Sequence, residues 1–497
     1  MHLHEVFDYP LSRLDPCAAH SDPSILAVYE TLVNKGPDGN AYPGLAESWK
    51  VSKDKLRWTF RLRPNARFHS GDPCDAPAVE AALESIRFGF HGGKQFYYWD
   101  PVDKVRADGA DKLVFTLHHP YVRLPSILWG LHTAIHNDRR RATDSDGSGC
   151  EWADGTGPFR FVSYTPERVE VERFENYPGC NATFLETGGA VALEHITWTS
   201  ILDPDERAAA LDRRDAHCAH GPNFEDVARL EEDPELKVIR FSQGSNAYLG
   251  LNWQRADLGF DDVRVRKAVS LALDRSELVR DALLGYGAPT LGPLSVDGEF
   301  YDPAVDSNLQ QDTAESARLL DDVGWTLDSE GVRSKDGARL DFECLIQDDA
   351  IQKRIAEGLR EQLSKIGIVV ELLPIRSFHA FYDGCKKGPA AFLNKWLWQD
   401  PVDASIGFIA TWGKPDPNWH YSSVPELDEG FHRWLRSETA EELQAAATNI
   451  QMLVAEHVPY VPLLVPQDVW VHTTAVHNWT PAQSILYPFY HRTTINL

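Results

Sequence analysis

The sequence predicts an α/β fold built from more than one lobe, and three observations indicate it. Residues 340–374 read as a strand, an amphipathic helix and a second strand, which is a βαβ unit of a largely parallel sheet. Residues 56–64 and 111–120 alternate apolar with polar side chains, as half-buried strands do. The chain has 497 residues, which exceeds what one core usually supports. We therefore expect two or three lobes, at least one of them with a parallel sheet.

The composition is typical of a folded protein with a well-solvated surface. Hydrophobic residues make up 43% of the chain, and 15 Trp and 22 Phe supply large cores, which argues against intrinsic disorder. The net charge of −25 would repel nucleic acid and an anionic membrane surface, so neither is expected as a partner. Because no run of 18 apolar residues is present, no membrane-spanning helix is predicted.

The motifs give little support to a metal or nucleotide site. The 7 cysteines show no C-x-x-C spacing, although Cys150 and Cys180 could form a bridge in an oxidising compartment. The most metal-like cluster, His217-Cys218-Ala219-His220, offers fewer donors than a metal site needs and is interpreted as incidental. Gly155-Thr156-Gly157-Pro158 lacks the Walker pattern and is interpreted as a tight backbone passage. No cofactor is predicted.

In the first half of the chain, the elements follow from capping residues and alternation. Asp22 and Pro23 suit the start of a helix from Ile25 to Val33. The two alternating segments are partner strands, with a helix from Asp75 to Phe88 between them. Two further strands and a helix are expected, in order, at Phe159–Tyr164, Val169–Phe174 and Glu206–Arg214.

In the second half, capping residues mark most of the helices. An apolar strand from Asn246 to Trp253 precedes a helix whose apolar residues recur at helical spacing between Val265 and Leu273. Asp274 is the expected N-cap of the next helix, and Glu277 completes a capping box. The remaining expected elements are a helix at Ala314–Val323, a hairpin turn at Lys335–Gly337, a strand at Leu340–Ile346, a helix at Ile351–Ile366, a strand at Ile368–Pro374, helices within 422–457 and strands within 458–472.

Several motifs, in a fixed order along the chain, resemble those of a known family. The central ones are Leu251-Asn252, then Asp262-Val263-Arg264-Val265-Arg266-Lys267-Ala268, then Ala272-Leu273-Asp274-Arg275. The others lie at Tyr42–Pro73, Gly155–Tyr164, Tyr301–Pro303, Leu319–Trp325, Glu361–Leu372 and Val458–Val471. On these motifs the chain is similar to the peptide- and nickel-type solute-binding proteins of ABC importers, family 5 of the extracellular solute-binding proteins. The similarity covers nearly the whole chain.

The resemblance implies a periplasmic-binding-protein-like α/β fold, class II and cluster C in type, bilobal with hinge strands plus an extra small lobe. Lobe I is expected to comprise residues 1–41, 155–250 and 474–497, lobe II residues 42–154, and lobe III residues 251–473. A short peptide or similar small polar solute would be captured between two lobes and delivered to a membrane permease. The resemblance also implies a monomer that is not an enzyme, with lobe II acting as scaffold.

The same resemblance supplies candidate ligand-binding residues. In dipeptide-binding relatives a basic residue at the start of a helix pairs with the ligand carboxylate, and Arg354 beside Lys353 matches that place. An acidic residue after a strand pairs with the peptide amine, and Asp400 with Asp403 match it among indole rings that lower the local dielectric. The structural alternatives are core aromatic residues, a solvated arginine and a turn-capping aspartate. The expected set is Tyr29, Tyr248, Asn252, Trp253, Arg354, Trp396, Trp398, Asp400, Asp403 and Trp412.

Location and ligand class leave alternatives open. Residues 1–16 have neither the charged nor the apolar region of a signal peptide, so we expect an extracytoplasmic protein that starts at its mature end, with a cytoplasmic protein as the alternative. A nickel, metal-chelate, opine or sugar receptor would share the fold. A hydrolase is disfavoured because the sequence has no G-x-S-x-G or H-E-x-x-H motif and no Cys–His signature with local context.

Overall fold

The computed structural model describes the chain in two compact units. The described residues are all except 12–13, 17–24, 90–98, 131–132, 142–152, 186–188, 243–245, 297, 308–309, 377, 396–408, 415–417, 482–488 and 497. The first unit comprises residues 1–240 and 469–497, and the second comprises residues 241–468. The division into three lobes therefore stays a prediction, and each unit is described by itself below.

The helices and strands alternate along much of the chain, as expected of an α/β protein. The described helices are α1 (Ile25–Val28), α2 (Ala76–Gly89), α3 (Leu124–Leu128), α4 (Asp138–Arg141), α5 (Pro204–Asp212), α6 (Phe224–Glu232), α7 (Val263–Leu271), α8 (Arg275–Ala282), α9 (Thr313–Asp322), α10 (Ala350–Ser364), α11 (Phe378–Lys386), α12 (Pro425–Arg436) and α13 (Ala440–His457). The strands are β1 (His2–Phe7), β2 (Val33–Lys35), β3 (Ala41–Pro43), β4 (Ala46–Val51), β5 (Arg57–Leu62), β6 (Val102–Ala107), β7 (Lys112–Leu117), β8 (Phe159–Thr165), β9 (Arg168–Arg173), β10 (His195–Ser200), β11 (Cys218–His220), β12 (Leu236–Ser242), β13 (Ala247–Leu251), β14 (Gly287–Pro289), β15 (Thr326–Leu327), β16 (Arg333–Lys335), β17 (Ala338–Arg339), β18 (Asp341–Gln347), β19 (Val369–Ile375), β20 (Ala391–Lys395), β21 (Val461–Thr473), β22 (Val476–His477) and β23 (Thr494–Ile495).

The first unit contains a mixed sheet in the order β11-β1-β10-β9-β8, with residues 470–472 of β21 beside β11. Strand β1 is parallel to both β10 and β11, and the remaining pairs are antiparallel. Helices α5 and α6 supply Ala210, Leu211 and Leu230 to a core that also contains Val6 of β1. Parallel pairing requires crossover connections, which α5 provides between β10 and β11.

A second sheet of the first unit confirms the two alternating strands. Its order is β4-β5-β7-β6, all antiparallel. Trp58 pairs with Phe115 and Phe60 pairs with Leu113, and these four side chains are buried. Helix α2 packs against β6 and β7. Successive side chains along a strand point to opposite faces of the sheet, so the residues between these buried ones lie on the opposite face.

Helix α1 is shorter than the sequence predicts. The helix expected from Ile25 to Val33 ends at Val28, and Val33 begins a strand. The carbonyl of Val28 accepts a hydrogen bond from Gly157 N at 2.8 Å, and the carbonyl of Glu30 accepts one from Ile135 N at 2.8 Å. These carbonyls are hydrogen-bonded to other segments of the backbone rather than to the next turn of a helix, so α1 ends at Val28. The predicted capping residues Asp22 and Pro23 lie outside the described residues.

The second unit confirms the predicted βαβ arrangement. Strand β18 pairs in parallel with β19 through α10 and also in parallel with β20, and β13 then pairs antiparallel to β20. Residues 461–466 of β21 complete the sheet against β13 and β14. Helix α10 begins where expected, because the Asp349 side chain accepts from Gln352 N at 2.8 Å. The predicted hairpin turn is also present, with Asp336 and Gly337 at positive φ between β16 and β17.

The capping predictions in the second unit are partly right. Asp274 caps α8 by accepting from Glu277 N at 2.9 Å. In a capping box the Glu277 side chain would accept a hydrogen bond from Asp274 N. Here Asp274 N donates instead to Oε1 of Gln362 at 2.8 Å. A complete capping box instead starts α13, where Thr439 and Glu442 bond reciprocally, within the range 422–457 in which helices are predicted.

The described cysteines are buried free thiols, and burial raises the pKa of Cys344 to about 12. Cys180 is among them, and Cys150, the partner that the sequence allowed, lies outside the described residues. Within the described residues, no three or more His, Cys, Asp or Glu side chains are arranged to hold a metal ion. Across the same residues, no helix combines the length and apolar character needed to cross a bilayer.

Candidate functional site

The carboxyl edge of the parallel strands in the second unit is the first candidate site. In open α/β sheets ligands bind at this edge, outside the ends of the strands. Strands β18, β19 and β20 end there at Gln347, Ile375 and Lys395. The chain continues from β20 into residues 396–408, so the predicted ligand residues Trp396, Trp398, Asp400 and Asp403 lie outside the described residues.

Cations dominate the described part of this edge. Asp348, which follows β18, forms an ion pair with Lys353 in the first turn of α10. Arg376, which follows β19, places Nε 3.4 Å from Oδ2 of the same carboxylate. The hydrogen bond from Lys353 and the charge of both cations lower the pKa of Asp348. Lys395, at the end of β20, is exposed. Two cations thus contact the Asp348 carboxylate, and Lys395 is a third cation at the same edge of the sheet.

Arg354 lies on the side of α10 that faces a groove. Its side chain is half-buried and lines a groove of about 700 Å³. The same groove is lined by Glu277 and Asp281 of α8, by Glu357 of α10 and by Lys365, which follows α10. Arg354 therefore shares this groove with acidic side chains of α8 and of its own helix. Its pairing with a ligand carboxylate stays a prediction.

The three residues predicted around the end of β13 make structural contacts. The ring of Tyr248 is buried, 5.9 Å from the ring of Phe392 and 4.9 Å from that of Tyr460 between centroids. Asn252 donates from Nδ2 to the carbonyls of Gly388 and Pro389, both at 3.1 Å. These contacts position the segment that leads into β20, and ligand contact by Tyr248 and Asn252 stays a prediction.

Trp253 has a different kind of partner. Its indole lies under the guanidinium of Arg266, 3.6 Å from the ring centroid, and its Nε1 donates to Pro459 O at 3.3 Å. The ring is only partly accessible to solvent. Ligand contact by Trp253 likewise stays a prediction.

Tyr29 and Trp412 occupy opposite environments. Tyr29 is 1% exposed in the first unit and donates its hydroxyl to Leu14 O at 2.8 Å. Trp412 is 38% exposed in the second unit and stacks on His432, with ring centroids 4.9 Å apart and planes 9° apart. Tyr29 therefore has the environment of a core tyrosine, and ligand contact by Tyr29 stays a prediction. The Trp412 ring has the accessibility that ligand stacking would need.

His420 is a buried histidine of the second unit. It is 1% exposed, and neither ring nitrogen has a hydrogen-bond partner among the described residues. Its ring lies near Phe392 and Tyr460, with centroids 6.3 Å and 6.0 Å away. Burial and the nearby Arg266 lower the pKa of His420 to about 3. A neutral imidazole in an aromatic core gave no signal in the sequence beyond the residue type.

The carboxyl edge of β1 and β11 in the first unit is a second candidate site. Nδ1 of His220, the last residue of β11, lies 2.6 Å from Oδ1 of Asp8, which follows β1. The His220 ring is surrounded by aromatic side chains, with the Tyr9 centroid 5.8 Å away and the Trp470 centroid 4.7 Å away. His220 therefore belongs to an acid–imidazole pair with Asp8. From the sequence, residues 217–220 are considered only as metal ligands, and this pair is not predicted.

Backbone contacts fix this second edge. Arg207 Nη1 donates to Ile201 O at 2.6 Å and to Leu202 O at 2.9 Å, and Nη2 donates to Gly221 O. Gly221 has φ +62, and a Cβ there would stand 2.4 Å from Oδ2 of Asp8. Glycine is thus needed both for the backbone conformation and for the space that the Asp8 carboxylate fills.

Comparisons with known proteins agree with the fold. Residues 40–419 match the profile of the bacterial extracellular solute-binding proteins, family 5 middle region. A glutathione-binding protein of Pectobacterium atrosepticum is 24% identical over 96% of this chain and 91% of its own length. The nickel-binding periplasmic protein of Escherichia coli is 26% identical over 88% of this chain and 83% of its own.

Solved structures give the same result. The oligopeptide-binding protein AppA of Bacillus subtilis, in complex with a nonapeptide, superposes with a TM-score of 0.87 at 19% identity over 100% of this chain and 99% of its own. NikA of Brucella suis, in complex with Fe(III)-EDTA, gives 0.81 at 25% identity over 100% of both chains. The periplasmic-binding-protein-like α/β fold expected from the motifs is confirmed. The chain belongs to the family 5 bacterial extracellular solute-binding proteins.

Proposed function

We propose that this protein is the receptor of an ABC importer that captures a short peptide, or a similar small solute with a carboxylate, and delivers it to a membrane permease. The observation that supports the ligand class is the second unit's carboxyl edge, where Lys353 and Arg376 contact Asp348 and the exposed Lys395 ends the neighbouring strand β20. This excess of cations favours a ligand that brings its own carboxylate, because charge-assisted hydrogen bonds are about twice as strong as neutral ones.

Related proteins support this class of ligand. Relatives of this chain are named for binding glutathione, and structural neighbours were solved with a nonapeptide, with the peptide STSA and with agropinic acid. These solutes differ in size and share carboxylates. The receptor would act outside the cytoplasm as a monomer, as the family resemblance implies, and would release its solute unchanged.

A metal-chelate receptor is the second candidate. The nickel-binding protein of Escherichia coli is 26% identical, and NikA of Brucella suis was solved with a carboxylate-rich chelate. No group suited to a metal ion occurs within the described ranges, so the chelator rather than the protein would supply most ligands. The same cations would then contact the carboxylates of the chelator.

Calorimetric titration tests the proposal. The panel would be di- and tripeptides, glutathione, agropinic acid and nickel with histidine, after mass spectrometry of any solute that co-purifies. Lys395→Ser should weaken the preferred solute about ten- to hundredfold, the size of one charge-assisted hydrogen bond. The matched control is Lys335→Ser, an exposed lysine of the β16–β17 hairpin. Loss of affinity in both variants, turnover of the solute, or binding only of uncharged sugars would contradict the proposal.

A further inference from the structure

One face of the four-stranded sheet in the first unit is strongly basic. The register places alternate residues of β4, β5, β7 and β6 on a common side, opposite the buried Trp58 and Phe60. The basic face is defined by the exposed cations on that side, which are Lys50, Arg57, Arg61, Lys104, Arg106 and Lys112. The positions between them are Ser48, Thr59, Val114 and Thr116, so alternation places no acidic residue on this side.

Nearby carboxylates neutralise only part of this charge. Arg61 Nε lies 3.0 Å from Glu47 Oε1, at a bulge of β4, and 3.9 Å from Asp111 Oδ2, and Arg106 lies 3.3 Å from Glu80 of α2. Lys104 has a longer contact, 3.9 Å to Asp103.

The other three cations of the basic face have no such partner. Within the part of the chain that the structure describes, Lys50, Arg57 and Lys112 have no ion pair, and their side chains are exposed. The charge of Arg57 is partly balanced by the nearby Asp54, but the face keeps three cations that form no ion pair with a described residue.

The sign of this charge is opposite to that of the protein as a whole. The chain has 74 acidic and 49 basic residues, so an ordinary solvated face would be mixed or acidic. At physiological ionic strength, charges more than about 8 Å apart are largely screened. A surface that approaches the basic face would therefore experience mainly the local cations. The net charge of −25 alone does not exclude an anionic partner at this face.

We propose that the basic face docks on the surface of an anionic phospholipid bilayer. Its cations are long, flexible side chains spread over a sheet face, which suits a fluid array of phosphates. Each Lys or Arg side chain near an anionic membrane surface adds to the electrostatic attraction between protein and bilayer. A shaped protein partner would instead require buried aromatic or apolar anchors, and Val114 is the single apolar side chain on this face. Docking would hold the receptor near the membrane and is independent of which solute it binds.

Vesicle co-sedimentation tests this proposal. The full-length protein should sediment with vesicles of equal parts phosphatidylglycerol and phosphatidylcholine at low salt, and should be released at high salt. Phosphatidylcholine vesicles should not bind it. The triple variant Lys50→Ser, Arg57→Ser, Lys112→Ser breaks no ion pair among the described residues and should lower the partition coefficient about a hundredfold, at about fivefold for each charge.

The control removes the same charge elsewhere. Lys237, Lys335 and Lys387 are exposed, and their triple serine variant should sediment as the unaltered protein does. Solute affinity measured by calorimetry should be equal in both triple variants, which separates this test from that of the proposed function. Absence of sedimentation at low salt, equal loss in both variants, or competition by soluble glycerol phosphate would overturn the proposal.

Discussion

Arg266 and Trp253 form a cation–π contact in the second unit, with the guanidinium carbon 3.6 Å from the indole centroid. The same guanidinium donates to the carbonyls of His457 and Val458 at 2.8 and 2.9 Å, where α13 ends, and to Phe260 O at 2.9 Å. Arg266 is 2% exposed, and burial lowers its pKa to about 10. The second arginine of the family motif is thus a buried cap that ties the start of α7 to the end of α13.

Replacing Arg266 should destabilise the second unit. Arg266→Lys keeps the positive charge but lacks the several N–H donors of the planar guanidinium group. Buried carbonyls would then lose their donors, and we expect the free energy of unfolding to fall by about 3 kcal/mol. Urea unfolding followed by tryptophan fluorescence measures this change. Arg264→Lys is the matched control, because Arg264 is exposed and forms an ion pair with Asp262 at the same helix start; it should change stability by under about 1 kcal/mol. An equal effect of both substitutions would refute the capping role.

Glu30 and Arg63 should behave as a buried ion pair of the first unit. Their atoms Oε2 and Nη2 are 2.7 Å apart, both side chains are 8% exposed, and Tyr177 donates to Glu30 at 3.1 Å. Glu30→Gln leaves the Arg63 charge buried without a counter-ion, at a cost of about 3–5 kcal/mol. The exposed pair Arg160–Glu172 gives the control Glu172→Gln, expected to cost under about 1 kcal/mol. Thermal unfolding would show a large drop in Tm for Glu30→Gln alone.

Acid should destabilise the second unit through His420. The pKa of His420 is lowered from 6.5 to about 3, so the unfolded chain takes up the proton first and the folded state loses stability as the pH falls below 6.5. At pH 5 the loss is about 2 kcal/mol, or 1.36 kcal/mol for each pH unit below 6.5.

Denaturation across the pH range checks this sign. His420→Phe should remove that part of the pH dependence between pH 6.5 and 5, while the exposed His432→Phe should leave it. An unchanged acid slope in His420→Phe would show that other groups carry the pH dependence.

Gly221→Ala should disrupt the Asp8–His220 pair more than backbone strain alone explains. An added Cβ would stand 2.4 Å from Asp8 Oδ2, and the residue has φ +62. Gly71→Ala is the matched control, because Gly71 also has positive φ, +90, but has no heavy atom within 4 Å of the built Cβ. The control should cost about 1 kcal/mol, and Gly221→Ala should cost more and shift the His220 imidazole resonances in NMR spectra. Equal destabilisation with unshifted His220 signals would contradict the steric argument.

Much of the fold follows from local sequence. The alternation in residues 56–64 and 111–120 predicts β5 and β7, because a strand with one buried face must repeat every two residues. Asp349 and Asp274 mark helix starts because a side-chain carboxylate satisfies free N–H groups of the first turn. Where long-range partners compete, such prediction is wrong, as at Val28, whose carbonyl is taken by Gly157 from far along the chain.

The candidate site was less predictable. Arg376 directly follows β19 and Lys395 ends β20, and such a position at the end of a strand was the signal that could have found them. Tyr248 and Asn252 were expected at a ligand, and their described contacts are with the protein itself. The sequence shows which residue types are present, but it does not show which of their atoms are hydrogen-bonded to or packed against other segments of the chain.

The sequence by itself determined the α/β class, most element boundaries and, through ordered motifs, the family, because these depend on local periodicity, capping and composition. The tertiary structure alone decided the partners of Arg266, Glu30 and His220, since each is bonded or stacked to groups from distant parts of the chain. It also decided that six cations of an acidic protein share one sheet face, because β-pairing brings together residues that the sequence keeps apart.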